Sequence, residues 1–184
     1  RHSQRFFKTG EGQYAAGDQF LGIRVPTLRR LSRAYKGLGL AEIVQLLCSP
    51  IHEIRLLALL LLILQYQKGN ATTKLEIVGV YLAHIGFVNN WDLVDASAPK
   101  ILGDYLYDKD KSVLYQLVQS ENLWERRIAI VATHTFIRNA SYSDTLLLVE
   151  ILMNDKQDLI QKACGWMLRE VGKRDLETEI TFLD

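Results

Sequence analysis

Cysteine and proline are scarce in this sequence. Its 184 residues include two cysteines and three prolines, the latter at positions 26, 50 and 99. Cys48 and Cys164 are far apart, and neither has a second Cys or a suitably spaced His nearby, which excludes a disulfide scaffold and predicts buried thiols in a reducing compartment. Because an interior proline interrupts a helix, this scarcity leaves most of the chain free to be helical.

A metal-binding pattern and a membrane-spanning segment are also missing. The four histidines are dispersed, and His52-Glu53 lacks the second His four residues later that a zinc-protease helix requires. The longest apolar run, residues 56–64, is far shorter than the roughly 20 residues of a membrane span. We therefore expect no metal, no cofactor and no membrane contact and, since no signal peptide is visible, a cytoplasmic protein.

Charge of neither sign dominates the composition. The chain has 22 Lys and Arg against 21 Asp and Glu, a formal net charge of +1. The distribution is uneven, because residues 1–36 hold eight basic and two acidic side chains, which leaves the remainder net negative. This basic end is either the footprint of a polyanionic partner or an ordinary solvated surface, and charge alone does not separate the two.

Apolar residues recur at helical spacing almost everywhere, and no stretch of five or more alternates as a strand would. The sequence therefore predicts an all-α fold. Four capping residues mark the starts of long helices: Ser49 followed by Pro50, Asn90, Asn122 and Asp155. We predict these helices over residues 51–68, 91–107, 123–138 and 156–173. Shorter helices are predicted over residues 26–35, 40–48, 72–87, 111–118, 143–153 and 175–183. Short connections make neighbouring helices antiparallel.

An internal repeat is visible in these helices. Similar segments place a basic residue at Arg55, Arg127 and Lys162, which implies a period of about 36 residues. Each unit is a short helix followed by a longer one. We expect an α-solenoid of the HEAT-like or armadillo type, a single domain over residues 1–184 in which the second helices line a concave face. An ordinary helical bundle is the alternative.

The segment 89–95, Asn-Asn-Trp-Asp-Leu-Val-Asp, begins one of the long helices. Trp91 and Asp95 are four residues apart, so they share one face of its first turn. Asp92 is sufficiently explained as a favourable charge at a helix N-terminus. Trp91 and Asp95 form a candidate functional pair, with a structural role as the alternative.

Basic residues occupy the corresponding part of the later repeats. Arg126 and Arg127 point about 100° apart, so at most one faces the same way as Trp91 and Asp95. The repeat register selects Arg127 and leaves Arg126 at a solvated contact between units. Arg127 suits bidentate phosphate contact, and Lys162 suits a point-charge contact. The alternative is an ion pair between repeats.

Trp166 follows Lys162 by four residues and is the second candidate aromatic, with a place in the core as its alternative. Gly165 costs about 1 kcal/mol relative to Ala inside a helix, which indicates a close approach there. Two Trp, one Asp and one Arg at equivalent register would bind a cationic group attached to phosphates.

Four of these segments in order, residues 20–26, 91–95, 122–127 and 161–170, resemble the AlkD family of bacterial DNA alkylation-repair glycosylases, which have HEAT-like repeats. The opening segment 5–14 resembles a glycine-containing stretch of one branch of that family. The resemblance implies that Asp95 is the catalytic aspartate and that Trp91 and Trp166 embrace the deoxyribose. It also implies that Arg127 holds the lesion backbone and that the full-length protein has further helices at both ends.

The resemblance further implies a monofunctional glycosylase of the base excision repair type. It would hydrolyse the N-glycosidic bond of cationic N3- or N7-alkylated purines in double-stranded DNA, as a monomer and without base flipping. The expected DNA contacts come from Arg127, Lys162, Arg55, Arg24 and Arg29. Two alternatives stay open: a non-catalytic HEAT-repeat binder of damaged or unusual DNA, and a scaffold for protein partners.

Overall fold

Helices account for most of the chain, as the hydrophobic spacing predicts. The structure is a computed structural model that describes residues 7–184. Its α-helices are α1 (Val25–Ala34), α2 (Leu40–Leu47), α3 (His52–Lys68), α4 (Ala71–Ala83), α5 (Trp91–Ser97), α6 (Asp104–Leu106), α7 (Ser112–Leu117), α8 (Leu123–Ala132), α9 (His134–Arg138), α10 (Ser143–Leu152), α11 (Asp158–Gly172) and α12 (Leu176–Leu183). A 3₁₀ turn (Ile85–Phe87) precedes α5, and a π-helical segment (Pro99–Gly103) precedes α6. The predicted all-α, solenoid-like fold class is confirmed.

Close contacts group the chain into two compact units, Arg1–Ser97 and Ala98–Asp184. The expectation of a single domain over residues 1–184 stays a prediction.

The first unit is built around α3. This helix packs against α1, α2, α4 and α5, and its apolar run from Leu56 to Ile63 is buried except at Leu57. A helix that is apolar on nearly every side must be covered on nearly every side, which explains its central place. Its polar residues are confined to its two ends.

The second unit is centred on α8 and α11, which pack against each other. In α8 the run from Ile128 to Ala132 is fully buried. Gly103 lies so close to this helix that an added Cβ would overlap the carbonyl oxygen of Ala132. Glycine is needed there for close approach, since its own backbone conformation is helical.

Two of the predicted long helices are interrupted. The stretch predicted as one helix over residues 91–107 changes at Pro99, which has no amide hydrogen to donate. The amide of Gly103 then donates to the carbonyl of Ala98, five residues back, at 2.8 Å. The helix predicted over residues 123–138 is divided at Thr133, whose hydroxyl donates to the carbonyl of Ile130 at 2.7 Å.

Two of the predicted helix starts come too early. Asn122 caps α8 as predicted, and its side chain accepts from the amide of Trp124 at 2.9 Å. Ser49 and Asp155 instead each accept from the amide two residues later. These are side-chain turns that precede a helix, so α3 and α11 begin at residues 52 and 158.

The thiol prediction is half right. Cys164 is buried in α11, whereas Cys48, just after α2, is exposed. Within residues 7–184, no helix is long and apolar enough to cross a membrane. The same part of the chain holds no group of three or more His, Cys, Asp or Glu arranged to bind a metal ion.

Candidate active site

The first turn of α5 carries the candidate pair. Trp91 is the first residue of the helix, and its amide donates to the side chain of Asn90 at 2.9 Å. Trp91 and Asp95 are both half-buried, whereas Leu93 and Val94 are fully buried. The apolar side of this short helix therefore faces the core of the first unit, and Trp91 and Asp95 lie beside it at the edge of the solvent.

Beneath this turn, a buried histidine links two aspartates that are distant in sequence. His52, the first residue of α3, is only 2% exposed. Its Nε2 lies 2.8 Å from Oδ2 of Asp92, and its Nδ1 lies 3.4 Å from Oδ2 of Asp18. The imidazole thus joins the start of α3 to the first turn of α5 and to the segment before α1.

Asp18 is the centre of a second set of contacts. Its Oδ1 accepts from a terminal nitrogen of Arg55 at 2.6 Å, and its Oδ2 accepts from the side-chain amide of Asn90 at 3.2 Å. Arg55 is itself 3% exposed and also donates to the carbonyl of Ser49 at 3.0 Å. Asn90 therefore connects Asp18 directly to the residue that begins α5.

The protonation of this cluster follows from its charges. Burial disfavours the charged forms of both His52 and Asp18. For His52 the two aspartates outweigh burial, so its pKa lies above the usual value. For Asp18 the contacts with His52, Arg55 and Asn90 outweigh burial, so its pKa lies below the usual value. The contacts within the cluster therefore favour the charged forms of both His52 and Asp18.

Aromatic rings cover the histidine. The ring centroids of Phe7 and Phe20 lie 4.8 Å and 4.7 Å from that of His52. Phe7 is also stacked on Trp91, at 5.5 Å with an interplanar angle of 28°. The indole of Trp91 is therefore held from one side by Phe7, while its backbone amide is bound to Asn90, which in turn contacts Asp18.

The loop that carries Phe20 is anchored to α3 by Glu53. The carboxylate of Glu53, 4% exposed, accepts from the amides of Leu21, Gly22 and Ile23 at 3.0, 2.6 and 3.2 Å. Gly22 has a φ of +82°, a conformation that glycine adopts without steric cost. These three hydrogen bonds hold the loop, and with it residues 18–20, against the N-terminal end of α3.

The other predicted site residues lie in the second unit. Arg127 is 5% exposed and donates to the carbonyl of Leu159. Trp166 is half-buried on α11, with its ring 5.5 Å from that of His134. Lys162 is exposed and is paired with Asp158 at 2.7 Å.

The contacts of the basic residues revise the repeat register. Arg55 and Arg126 make the same contact, each donating to the carbonyl six residues earlier, Ser49 and Ser120 respectively. Arg126 also donates from Nε to Asp155 at 2.7 Å, with only 15% of its side chain exposed. Arg126 therefore lies at a contact between repeats, as predicted, but this contact is largely buried rather than solvated.

Arg126, rather than Arg127, is thus the counterpart of Arg55. Asp95, Arg127 and Lys162 share a different register, each being the fifth residue of its helix. The grouping of Asp95 with Arg127 and Lys162 as site residues stays a prediction, and Arg55, the fourth residue of α3, has a different register.

Comparison with protein-family models matches residues 1–184 to the family described as "DNA alkylation repair enzyme". The chain belongs to the DNA alkylation repair enzyme family. Three chains of solved structures match it, and one of them is titled "Predicted DNA alkylation repair enzyme from Enterococcus faecalis". That match has 18% identity and a TM-score of 0.67, and it covers 92% of this chain and 82% of the other. At this identity the likeness shows the fold. No curated protein matches.

Within this alkylation-repair chain, the predicted DNA contacts differ in accessibility. Arg24 and Arg29 are exposed, at the start of α1 and within it. Arg55 is not placed for a DNA contact, because its guanidinium is buried and bound to Asp18. The opening segment 5–14 is described only from Phe7 onward, and the part of the basic end in residues 1–6 lies outside the described residues.

Three residues of the cluster were missed in the sequence, namely His52, Asp18 and Asp92. His52 and Asp92 are 40 residues apart, so no local spacing links them, and Asp92 was assigned only a helix-end charge. The one local signal was a polar His-Glu pair immediately before a long apolar run.

The close approach predicted at Gly165 does not come from another part of the described chain. A Cβ added there meets no heavy atom of residues 7–184 within 4 Å.

Proposed function

We propose that this protein is a monofunctional DNA glycosylase that removes cationic N3- or N7-alkylated purines from double-stranded DNA. Its membership in the DNA alkylation repair enzyme family supports this proposal most directly. The half-buried pair of Trp91 and Asp95, fixed from below by the cluster around His52, supplies the site. Asp95 is the proposed catalytic carboxylate.

The chemistry requires few groups. Glycoside hydrolysis ordinarily uses two carboxyl groups, one of which protonates the leaving group. A purine alkylated at N3 or N7 already carries a positive charge and leaves as a neutral base, so no general acid is needed. One carboxylate then suffices to stabilise the oxocarbenium-like sugar and to orient the attacking water.

The size of this effect is set by Coulomb's law. At about 4 Å and an effective dielectric near 20, a carboxylate stabilises a unit positive charge by about 4 kcal/mol, on the order of a thousandfold in rate. The half-buried position of Asp95 favours this value over the much smaller one in bulk water. Trp91 adds cation–π attraction to the developing charge.

The resemblance implies roles for further residues. Trp166 would provide a further aromatic face and Arg127 a contact to the backbone beside the lesion, as the resemblance implies. Lys162, Arg24 and Arg29 are exposed and would contact phosphates. The side chains of Lys162 and Asp158 are 67% and 65% exposed, and such a surface pair is worth at most about 1 kcal/mol, so a phosphate can displace it.

The test is the release of free 7-methylguanine and 3-methyladenine from methylated duplex DNA. Asp95→Asn keeps the shape of the side chain and removes its charge. We expect excision to fall on the order of a thousandfold, while binding to the same DNA is retained or strengthened.

The matched control is Glu150→Gln, which removes the charge of an exposed carboxylate on α10 and should leave excision unchanged. Equal excision by wild type and Asp95→Asn would show that the carboxylate is structural. DNA binding by the wild type without any release would favour the non-catalytic binder.

A further inference from the structure

Three basic side chains of the first unit lie at the end of α3 remote from His52. Arg33, Lys36 and Lys68 are exposed and, among residues 7–184, have no carboxylate within ion-pair distance.

These three cations line a single cavity of about 480 Å³. Arg33 comes from the last turn of α1, Lys36 from the turn that follows, and Lys68 is the last residue of α3. The remaining wall includes Gln65 and Thr73 and contains no acidic residue. Small-molecule sites typically occupy about 300–1,000 Å³, so the cavity can hold a phosphate group together with part of the molecule that carries it.

The backbone around the cavity is held in place. The side-chain amide of Gln65 donates to the carbonyls of Lys36 and Leu38, at 3.1 and 2.7 Å, and so ties the turn after α1 to α3. At Gly69 an added Cβ would lie 2.7 Å from Cγ2 of Thr73 and 3.0 Å from the carbonyl oxygen of Gln65. Glycine therefore allows the C-terminus of α3 and the start of α4 to approach closely.

The electrostatic balance at this point favours an anion. The ends of α1 and α3 each contribute about half a negative charge, and the start of α4 contributes about half a positive charge. Three full positive charges from the side chains exceed these partial charges severalfold. Lys and Arg at helix C-termini are common for stability alone, but here three such side chains at the ends of two helices line the same cavity.

The cavity is separate from the candidate active site. His52 begins α3 and Lys68 ends it, 16 residues later, which corresponds to about 24 Å along the helix axis. A ligand bound at Lys68 would therefore not touch Trp91 or Asp95.

We propose that this cavity is a second anion site, in which Arg33, Lys36 and Lys68 bind a phosphate group. The phosphate belongs either to a DNA backbone, several base pairs from the excision site, or to a free phosphorylated molecule. The first source extends the proposed function and rests on its DNA partner, whereas the second is independent of it. Neither depends on excision chemistry.

The test compares wild type with the triple variant Arg33→Gln, Lys36→Gln, Lys68→Gln. Binding to undamaged duplex DNA is measured by fluorescence anisotropy between 50 and 200 mM salt, concentrations chosen because the effect of ion release is large over that range. Binding of inorganic phosphate and of deoxyadenosine monophosphate is measured by the amide NMR shifts of Gly69 and Thr73. Circular dichroism verifies that the variant is folded.

A matched variant removes the same charge elsewhere. Lys109→Gln, Lys156→Gln, Lys173→Gln neutralises three exposed lysines of the second unit. If a DNA phosphate occupies the cavity, the triple variant reduces the slope of log affinity against log salt by about 0.9 for each phosphate that is no longer neutralised, and the matched variant changes it much less.

If a free phosphorylated molecule occupies it, the two small probes shift the amides of Gly69 and Thr73 in the wild type and not in the triple variant, while DNA binding is equal. Either result supports the site. The proposal is overturned if neither probe shifts these amides and the two triple variants bind DNA alike. Because undamaged DNA is used, a failure of the glycosylase proposal would leave this result unaffected.

Discussion

Removal of the charge of Asp18 gives the most demanding test of the cluster beneath α5. Asp18 is the carboxylate that faces Arg55 at 2.6 Å, with 8% and 4% of the two side chains exposed. Asp18→Asn preserves the volume and one acceptor oxygen, but it leaves a buried guanidinium without its counter-charge. It also leaves His52 with Asp92 as its remaining carboxylate.

The expected loss follows from burial. Removing one partner of a buried ion pair costs about 3–5 kcal/mol, and the retained acceptor oxygen places this case near 3 kcal/mol. For a chain of this length, each kcal/mol shifts the melting temperature by about 2–4 °C. We therefore expect Asp18→Asn to melt about 10 °C below wild type at pH 7, as followed by circular dichroism.

Two further variants make the result specific. Asp108→Asn removes a carboxylate that is 71% exposed and paired only with its neighbour Lys109, and it should melt with the wild type. Adding Arg55→Met to Asp18→Asn removes the orphaned charge and should recover part of the loss. A melting temperature for Asp18→Asn within about 2 °C of wild type would refute the assignment of this pair as a buried stabilising contact.

Three other measurements test separate parts of the structure. The raised pKa of His52 means that its imidazolium stabilises the fold below the unfolded pKa near 6.5, and that this contribution is lost as pH rises through the higher folded pKa. The difference in the free energy of unfolding between wild type and His52→Gln should therefore shrink from pH 6 to pH 8.5. A constant difference would contradict the charged cluster. Gly165→Ala should raise the melting temperature, because alanine is favoured by about 1 kcal/mol in a helix and its Cβ meets only open space; a lower melting temperature would show a contact that the structure lacks. A thiol reagent at pH 8 should titrate exposed Cys48 in the native protein but not Cys164, because burial raises the pKa of Cys164 to about 12; two reactive thiols before urea is added would contradict this.

Helix content and approximate helix positions could be predicted because they depend on local spacing. The apolar run from Leu56 to Ile63 specifies a helix that must be covered on nearly all sides, and α3 is the centre of its unit. The N-cap at Asn122 could equally be predicted from the sequence. The boundary errors have local causes as well: Ser49 and Asp155 form turns instead of capping, and side chains of this type do both.

The candidate active site could be predicted only in part. Trp91 and Asp95 are four residues apart, so helical periodicity alone places them on one face of α5. Their catalytic role stays a proposal, as do the roles of Trp166, Arg127 and Lys162. The register of the basic residues was shifted by one, because sequence similarity aligned Arg55 with Arg127, whereas the backbone contacts of Arg55 recur at Arg126.

The amino-acid sequence by itself determined the helices and the positions of Trp91 and Asp95 on α5, since both follow from a period of 3.6 residues that acts over a few turns. The tertiary structure decided which charges are buried and which remain on the surface. It brought His52, Asp18 and Asp92 into one cluster, although Asp18 and Asp92 are 74 positions apart in the sequence. It also buried the side chain of Arg55. Such pairings depend on which helices pack together, and packing is a property of the whole core that no local pattern encodes.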